Sequence, residues 1–320
     1  MLWARAAWPE KLIQPQKAMH QVVYAMLPLE ALAIYLFGWR SLVMLLVIGV
    51  GGFVTEAAFN FPQKKPVTAA VFVSALILHL SLPPTTPLWM AALGSVAGIG
   101  LGKMVFGGFG MNVFNPAMVG RCFLYINFPT ALNNQWVNPF SEGLAGLTHW
   151  FPPADAVTSA TPLAAFKAGA GVYWSDLLLG RISGSLGETS ALLIVVCGLY
   201  IVYKKSANWR LVVACLLGGA GLSLLFSGLG FPQVAPPVYT LLSGAFMFGA
   251  FFVVTEPISG PKTQPGMWIY GLMVGGLTVV LRAWSNFAEG FMFSIILANA
   301  FAALLDQGVR RVKEARKVKA

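Results

Sequence analysis

The stretch "SLVMLLVIGVGGFVTEAAF" (residues 41–59) indicates the class of fold. Glu56 is its only charged residue, and a helix needs about twenty predominantly apolar residues to cross a bilayer. Similar runs recur along a chain of 320 residues that is 57% hydrophobic and 10% charged. A soluble protein of this length would need more polar residues to cover its core. The sequence therefore predicts an all-α, polytopic membrane protein.

About ten transmembrane spans are expected. They cover residues 22–37, 41–59, 67–82, 88–106, 113–128, 189–203, 210–229, 238–254, 266–282 and 288–305. Several are short, and "GGFGMNVFNPAMVG" (107–120) is rich in glycine with Asn-Pro in its middle. Because bare backbone cannot face lipid, we interpret this segment as a break between helices or a half-helix that lines a cavity. The expected architecture is transporter-like, with broken helices.

The basic residues predict the orientation of the chain. Its net charge is +10, and Lys and Arg cluster beside apolar runs, at Arg5, Lys11, Lys17, Lys64, Lys65, Lys204, Lys205, Arg210 and in the tail "RRVKEARKVKA". Such clusters mark the cytoplasmic side and contact anionic lipid, so we expect a lipid bilayer as their partner and no nucleic acid. The first residues lack a small-residue cleavage site, which predicts that no signal peptide is removed.

This orientation predicts three regions along the chain. Residues 1–128 form a first half of the transmembrane bundle, and residues 188–320 form a second half with a basic cytoplasmic tail. Residues 129–187 lie at the outer face between them, because they contain few basic residues. Both termini are then cytoplasmic.

Two similar segments suggest a duplication. "FVTEAAFNFP" (53–62) and "FVVTEPISGP" (252–261) each end a span with Val-Thr-Glu. The similarity has two equally good explanations: chance in a biased composition, or an internal repeat of the kind found in transporters. Glu30, Glu56 and Glu256 lie within or at the ends of spans. Intramembrane carboxylates are usually functional, although Glu56 and Glu256 need no such role if they only reach the interface.

The run "DAVTSATPL" (155–163) is polar where its surroundings are apolar. Its local pattern is typical of a helix N-terminus, in which Ser159 or Thr161 is the cap, Pro162 takes the first helical position and "LAAFKAGA" continues the helix. A hydroxyl at such a place also suits a phosphoester, because the free N–H groups of a helix start favour phosphate.

The same run resembles the Asp-x-x-Ser-Gly-Ala-Thr signature at which flavin mononucleotide (FMN) is esterified to threonine. That signature belongs to the RnfD membrane subunits of the Rnf complex and the NqrB membrane subunits of the sodium-pumping NADH:quinone reductase. Three further stretches are similar to this family in order and spacing: "GGFGMNVFNPAMVGRCFL" (107–124), "GSLGETSALLIV" (184–195) and "TEPISGPKTQPGMWIYG" (255–271). The resemblance covers most of the chain, whose length is closer to that of the Rnf protein. It implies a bacterial or archaeal cytoplasmic (inner) membrane as the location.

The resemblance implies that Thr161 carries the covalent FMN, with Asp155 as the acid of the motif and Ala160 preserved. Ser159 supplies its serine, although it stands where relatives have glycine, so that the usual serine position falls on Thr158. A second departure is Glu256, which stands where relatives more often have Asp before a proline.

The family further implies a second, non-covalent flavin, riboflavin. Candidate neighbours are polar residues at the broken helices, namely Asn112, Asn115, Thr255 and Glu256. No Ser-His-Asp, Cys-His or phosphate-loop pattern is evident in the sequence. The chain is therefore expected to act within an assembly and not alone. The resemblance implies an electron carrier coupled to Na⁺ or H⁺ translocation, within a hetero-oligomer of Rnf-type membrane and iron–sulfur or flavin subunits, and a separate flavin transferase.

Three alternatives remain at this point. An NqrB-like role in an NADH:quinone reductase shares the same motifs. A solute channel or transporter would explain the broken helices and the carboxylates but not the threonine motif. A structural anchor for other subunits would have no need of the threonine motif, so that Thr161→Ala would leave electron transfer intact.

Overall fold

The computed structural model describes residues 9–133, 136–140, 143–152, 161–285 and 290–319. These residues are mainly helical, and strand structure among them is confined to one short pair, β1 (Ile13–Gln14) and β2 (Val67–Thr68), which run parallel. The predicted all-α class is confirmed.

The described residues fall into two compact units. The first takes in those within Met1–Asn112, Pro116–Ser159 and Ser185–Gly187. Its helices are α1 (Lys17–Phe37), α2 (Arg40–Asn60), α3 (Ala70–Ser81), α4 (Leu88–Ile99), α5 (Pro116–Asn127), α6 (Pro129–Asn133) and α7 (Ala145–Thr148).

The second unit takes in the described residues within Val113–Asn115, Ala160–Gly184 and Glu188–Ala320. Its helices are α8 (Pro162–Lys167), α9 (Trp174–Leu179), α10 (Ala191–Tyr203), α11 (Trp209–Gly228), α12 (Pro237–Leu242), α13 (Phe246–Phe248), α14 (Gln264–Trp284) and α15 (Gly290–Lys319).

Five helices in the described part of the chain are long and apolar enough to cross a membrane: α1, α2 with the turn that follows it, α11, α14 and α15. Three shorter apolar helices are Ala70–Ser81, Leu88–Met104 and Ala191–Tyr203. A helix rises about 1.5 Å per residue, so twelve residues span about 18 Å, well short of the hydrocarbon core. The chain is thus a multi-pass membrane protein that combines full-length and short helices.

Two helices pass into π-helical turns. One covers Gly100–Met104 at the end of α4, and the other covers Gly249–Val253 after α13. Helical structure stops after each of them, and the next helix starts at a proline-containing step, Asn115-Pro116 or Gln264-Pro265. The predicted break within 107–120 is confirmed: positive φ angles at Gly107, Gly108 and Gly110 carry the chain away from the helix.

The predicted span 238–254 is wrong as one continuous helix. It is interrupted at Ser243–Ala245, between α12 and α13. Gly244 there has a φ of +60°, a left-handed conformation that ends a regular helix.

Glycines allow helices to pack in direct backbone contact. In the second unit a Cβ atom on Gly275 of α14 would lie 2.6 Å from the backbone nitrogen of Gly219 on α11, and the atoms nearest to it all belong to the backbone of α11. In the first unit a Cβ on Gly98 of α4 would lie 2.6 Å from the carbonyl oxygen of Pro116 on α5. Small residues at such contacts are typical of membrane helices, where van der Waals packing drives association.

Helix α2 shows how the chain separates its two faces. Met44, Ile48 and Glu56 are fully buried, while Leu46 (58%) and Val50 (62%) are exposed. The exposed face is as apolar as the buried one. Such a face suits lipid or another membrane subunit.

Candidate functional site

Thr161 begins helix α8, as the sequence predicts. Its Oγ1 accepts a hydrogen bond from the backbone N–H of Ala164 at 3.3 Å, and Pro162 takes the first helical turn. The N-cap interpretation of this run is confirmed. The Thr161 side chain is only partly buried, so its hydroxyl group is accessible at the start of the helix.

Tyr239 of α12 contacts helix α8 at two residues. The Tyr239 hydroxyl donates to the carbonyl oxygen of Pro162 at 2.6 Å, and its ring lies 5.4 Å from that of Phe166. The contact holds the residue directly after Thr161 in place. Asp155, Thr158, Ser159 and Ala160 lie outside the described residues, so the remainder of the motif has no described geometry.

Glu256 is the centre of a tight turn. Its carboxylate accepts hydrogen bonds from the N–H of Ile258 at 3.3 Å, the N–H of Ser259 at 2.8 Å and the hydroxyl of Ser259. The carboxylate thereby replaces the helical partners that these N–H groups lack after the π-helical turn. Thr255, just before it, donates to the carbonyl oxygen of Phe251 at 2.5 Å.

Asn115 and Glu256 belong to one hydrogen-bond network in the second unit. The side chain of Asn299, on α15, accepts from the N–H of Asn115 at 3.1 Å. Its amide nitrogen donates to the hydroxyl of Tyr270 at 2.6 Å and to the carbonyl oxygen of Ser259 at 3.4 Å. Ser259 in turn binds Glu256. Two residues that are far apart in the sequence are therefore connected through Asn299.

The sequence reasoning missed Asn299, Tyr270 and Ser259. Asn299 is 2% exposed in an apolar helix, and an amide within a predicted span is a signal that was available, because buried polar groups need partners. Asn112 is also buried, at 5%.

Helix α15 holds the far end of the same loop. Asp306 accepts from the N–H of Lys262 at 2.7 Å, and from the N–H and hydroxyl of Thr263 at 2.9 and 2.5 Å. The Thr263 hydroxyl caps α14 by accepting from Gly266. The loop between Glu256 and α14 is therefore fixed at both ends by side chains.

Thr255 and Glu256 also line a cavity of about 530 Å³ in the second unit. The charged residues around it are mostly basic: Lys205, Arg210 and Lys262, with Trp209 beside them. The guanidinium of Arg210 lies 4.9 Å from the centre of the Trp209 ring, a cation–π geometry. The candidate residues of the broken helix thus border open space rather than a closed core.

Glu56 is paired and buried in the first unit. Lys103 Nζ lies 2.6 Å from its carboxylate, and both side chains are almost fully buried. Thr68 donates to the same carboxylate through its N–H at 2.9 Å and its hydroxyl at 2.7 Å. The alternative in which Glu56 only faces headgroups finds no support, because its side chain is 0% exposed. The sequence reasoning overlooked Lys103.

The two Val-Thr-Glu segments agree only in part. Thr55 and Thr255 each donate to the carbonyl oxygen four residues earlier, of Gly51 and of Phe251. The chain then diverges: Glu56 stays within α2, whereas Glu256 lies in a turn. The duplication stays a prediction.

Each unit holds charged and polar side chains among apolar helices. This combination defines the class of protein: a polytopic helical membrane protein with hydrogen-bonded polar groups in its interior. The chain belongs to the NQR2, RnfD, RnfE family, whose model matches residues 6–314.

Its relatives include two kinds of protein. The chain is 40% identical over 272 residues to the B subunit of the Na(+)-translocating NADH-quinone reductase of Ectopseudomonas mendocina, covering 81% of this chain and 64% of that relative. It is 34% identical over 312 residues to the D subunit of the proton-translocating ferredoxin:NAD(+) oxidoreductase complex of Clostridium ljungdahlii, covering 93% of this chain and 91% of that protein. The chain thus spans less than two thirds of the length of the quinone-reductase relative.

Proposed function

We propose that this chain is the flavin-carrying membrane subunit of an ion-translocating electron-transport complex of the Rnf type. Its relatives bear the names of subunits of such redox complexes. The observation that carries the proposal is the hydroxyl of Thr161 at the start of α8, at the threonine position of the family's flavinylation motif. Flavins pass one or two electrons, while the protein supplies position and electrostatics.

Thr161 is the attachment site of FMN in this proposal. A flavin transferase forms the phosphoester at the outer face of the membrane. Thr161→Ala is expected to abolish the flavin fluorescence of the denatured protein band, while Thr158→Ala, three residues earlier, keeps it. Mass spectrometry of the peptide from Asp155 to Lys167 is expected to give the added mass of FMN less one water. An unmodified Thr161 in protein made together with its transferase contradicts the assignment.

A second, non-covalent flavin (riboflavin) lies near the polar network of Asn115, Asn299 and Glu256. The support is local: Asn115 and Asn299 are buried, the network joins the candidates Asn115 and Glu256, and Glu256 borders a cavity. Asn299→Leu is expected to lower the riboflavin content of the purified complex several-fold while covalent FMN at Thr161 persists. Asn127→Leu, a change at an exposed amide on α5, is the matched control. Unchanged riboflavin in Asn299→Leu contradicts this location.

The NqrB-type role in a sodium-translocating quinone reductase is the second candidate function. It is favoured by the higher identity to the quinone-reductase relatives, whereas coverage of the relative's length favours the RnfD-type role. The proteins that co-purify with this chain distinguish the two. A plain solute channel is the third candidate, and a flavin that survives denaturation is incompatible with it.

A further inference from the structure

A second buried cluster in the first unit is separate from the candidate flavin residues. Glu30 on α1, Ser41 on α2 and His79 on α3 meet between the three helices. His79 Nε2 lies 2.7 Å from one carboxylate oxygen of Glu30, and the Ser41 hydroxyl lies 3.2 Å from the other. Ser41 Oγ is also 3.2 Å from His79 Nε2. The three side chains therefore form a closed triangle of hydrogen bonds.

This cluster is buried, and one of its polar atoms has no hydrogen-bond partner among the described residues. Glu30 is 4% exposed, Ser41 2% and His79 0%. The other ring nitrogen of His79, Nδ1, is buried and has no hydrogen-bond partner among the described residues. A structural hydrogen bond between helices would need neither an acid nor an imidazole, and an intramembrane ionisable pair is by default a functional candidate.

His79 Nδ1 is the atom whose protonation differs between the two charge states of the pair. With one proton between the two groups, Nε2–H donates to a Glu30 carboxylate, Nδ1 is bare and the pair has a net charge of −1. With two protons, the pair is neutral as imidazolium with carboxylate, or as neutral imidazole with carboxylic acid. Nδ1 carries a proton in both neutral forms. The pair thus gains or loses a proton at one atom, whichever way the internal proton lies.

Neither state is fully satisfied by the fold. The anionic state buries a net charge in a low-dielectric interior, although Ser41 and Nε2–H both donate to the carboxylate. The neutral states leave an Nδ1–H without an acceptor, which has its own desolvation cost. Each protonation state therefore leaves one polar requirement of the cluster unmet.

The remaining titratable groups on the helices packed around the cluster do not replace this pair. Helix α4 has none, and α3 has only His79; the others are Lys17, His20, Tyr24 and Tyr35 on α1, Arg40 and Glu56 on α2, and Arg121, Cys122 and Tyr125 on α5. Arg40 is next to Ser41 in sequence, but its guanidinium donates to the carbonyl oxygens of Pro84 and Thr86. Glu56 is paired with Lys103.

We propose that Glu30 and His79 form a proton-binding site in the first unit, with Ser41 as a fixed donor to the carboxylate. The site takes one proton from water at His79 Nδ1 and gains one positive charge; no electron moves within it. Negative charge that arrives nearby favours the protonated state, since charges interact strongly in a low-dielectric interior. The link to electron transfer rests on the proposed function, whereas the proton site does not.

Infrared pH-difference spectroscopy of the intact, oxidised complex tests the site without turnover. We expect a carboxyl signal and an imidazole signal that titrate together, with one proton bound per complex. Glu30→Gln should remove the carboxyl signal, His79→Gln the imidazole signal, and the double variant both. His149→Gln, at an exposed histidine of the same unit, is the matched control and should retain them. Identical spectra for wild type and His79→Gln overturn the proposal.

Ser41→Ala keeps the test decisive if a variant at the pair does not assemble. It removes one donor to the carboxylate and leaves both titrating groups in place. The anionic state loses stabilisation, so the titration midpoint should move to higher pH, and an unchanged midpoint contradicts the proposal. A pH indicator present during reduction of the complex tests the coupling. If the titration succeeds but reduction causes no Glu30-dependent uptake, only the link to electron transfer fails.

Discussion

The buried pair of Glu56 and Lys103 gives a prediction about two individual side chains. Lys103→Met leaves the carboxylate of Glu56 buried, with hydrogen bonds from Thr68 but without its counter-charge. Removing one partner of a buried ion pair costs about 3–5 kcal/mol, so the denaturant midpoint of the solubilised protein should fall markedly. Glu56→Gln combined with Lys103→Met buries no charge and should recover much of the loss. Equal destabilisation of the single and double variants contradicts this account.

Glu256 gives a second prediction of this kind. Glu256→Gln replaces one acceptor oxygen by an NH₂ group that faces the donors of Ile258 or Ser259. The turn should loosen, because two donors then meet. We expect altered electron transfer or ion pumping, while assembly persists. Glu314→Gln, at an exposed carboxylate of α15, is the control and should match wild type. Wild-type rates in Glu256→Gln would mean that the residue has only a local role.

The carboxylates were predictable from the sequence, but their partners were not. Glu30 and Glu56 stand out because charges are rare within apolar runs. His79 and Lys103, however, lie 49 and 47 residues further along the chain, and only the packing of helices brings them together. Thr161 was predictable as an N-cap because the capping hydrogen bond joins two residues that are only three positions apart in the sequence. Contacts between near neighbours in the sequence can be predicted from it, whereas pairs that are distant in the sequence can be identified only in the folded structure.

Close packing between helices gives a prediction for α4 and α5. In Gly98→Ala the new methyl group on α4 would meet the backbone of α5, at the Pro116 carbonyl oxygen. Backbone cannot turn aside as a side chain can, so the helices must separate, at a cost of about 1–3 kcal/mol. Gly221→Ala is the matched change on α11, where a Cβ would meet nothing within 4 Å. Thermal unfolding should show a loss for Gly98→Ala only; equal behaviour would mean that α4 and α5 tolerate separation.

The positions of the helices were predictable, but their lengths were not. Apolar runs mark helices at the predicted spans. Hydropathy does not distinguish a helix that crosses lipid from a shorter one, because both are apolar; α3 and α10 illustrate this with 12 and 13 residues. The break at Ser243–Ala245 was missed because the apolar pattern continues across it. Gly244 was the available signal.

Exposed apolar faces on both units give a prediction about assembly. Large apolar side chains are exposed on membrane-length helices, for example Leu46 on α2 and Leu224 on α11. Lipid covers some of this surface, and partner subunits are proposed to cover the rest. We expect the chain to purify with other membrane subunits in mild detergent, and to oxidise no NADH by itself. A single polypeptide with NADH-oxidising activity would contradict this.

The distribution of charge predicts how the protein sits in the membrane. Lys204, Lys205 and Arg210 flank α10 and α11, and basic residues continue along the end of α15. Residues 129–187 carry few bases. Since basic residues remain on the cytoplasmic side, a reporter fused after Asn133 and one fused after Ala320 should report opposite sides. A fusion after Lys205 is the internal control and should agree with Ala320. Reporters on the same side at Asn133 and Ala320 would invert half of the topology, and Thr161 would then be out of reach of a transferase at the outer face.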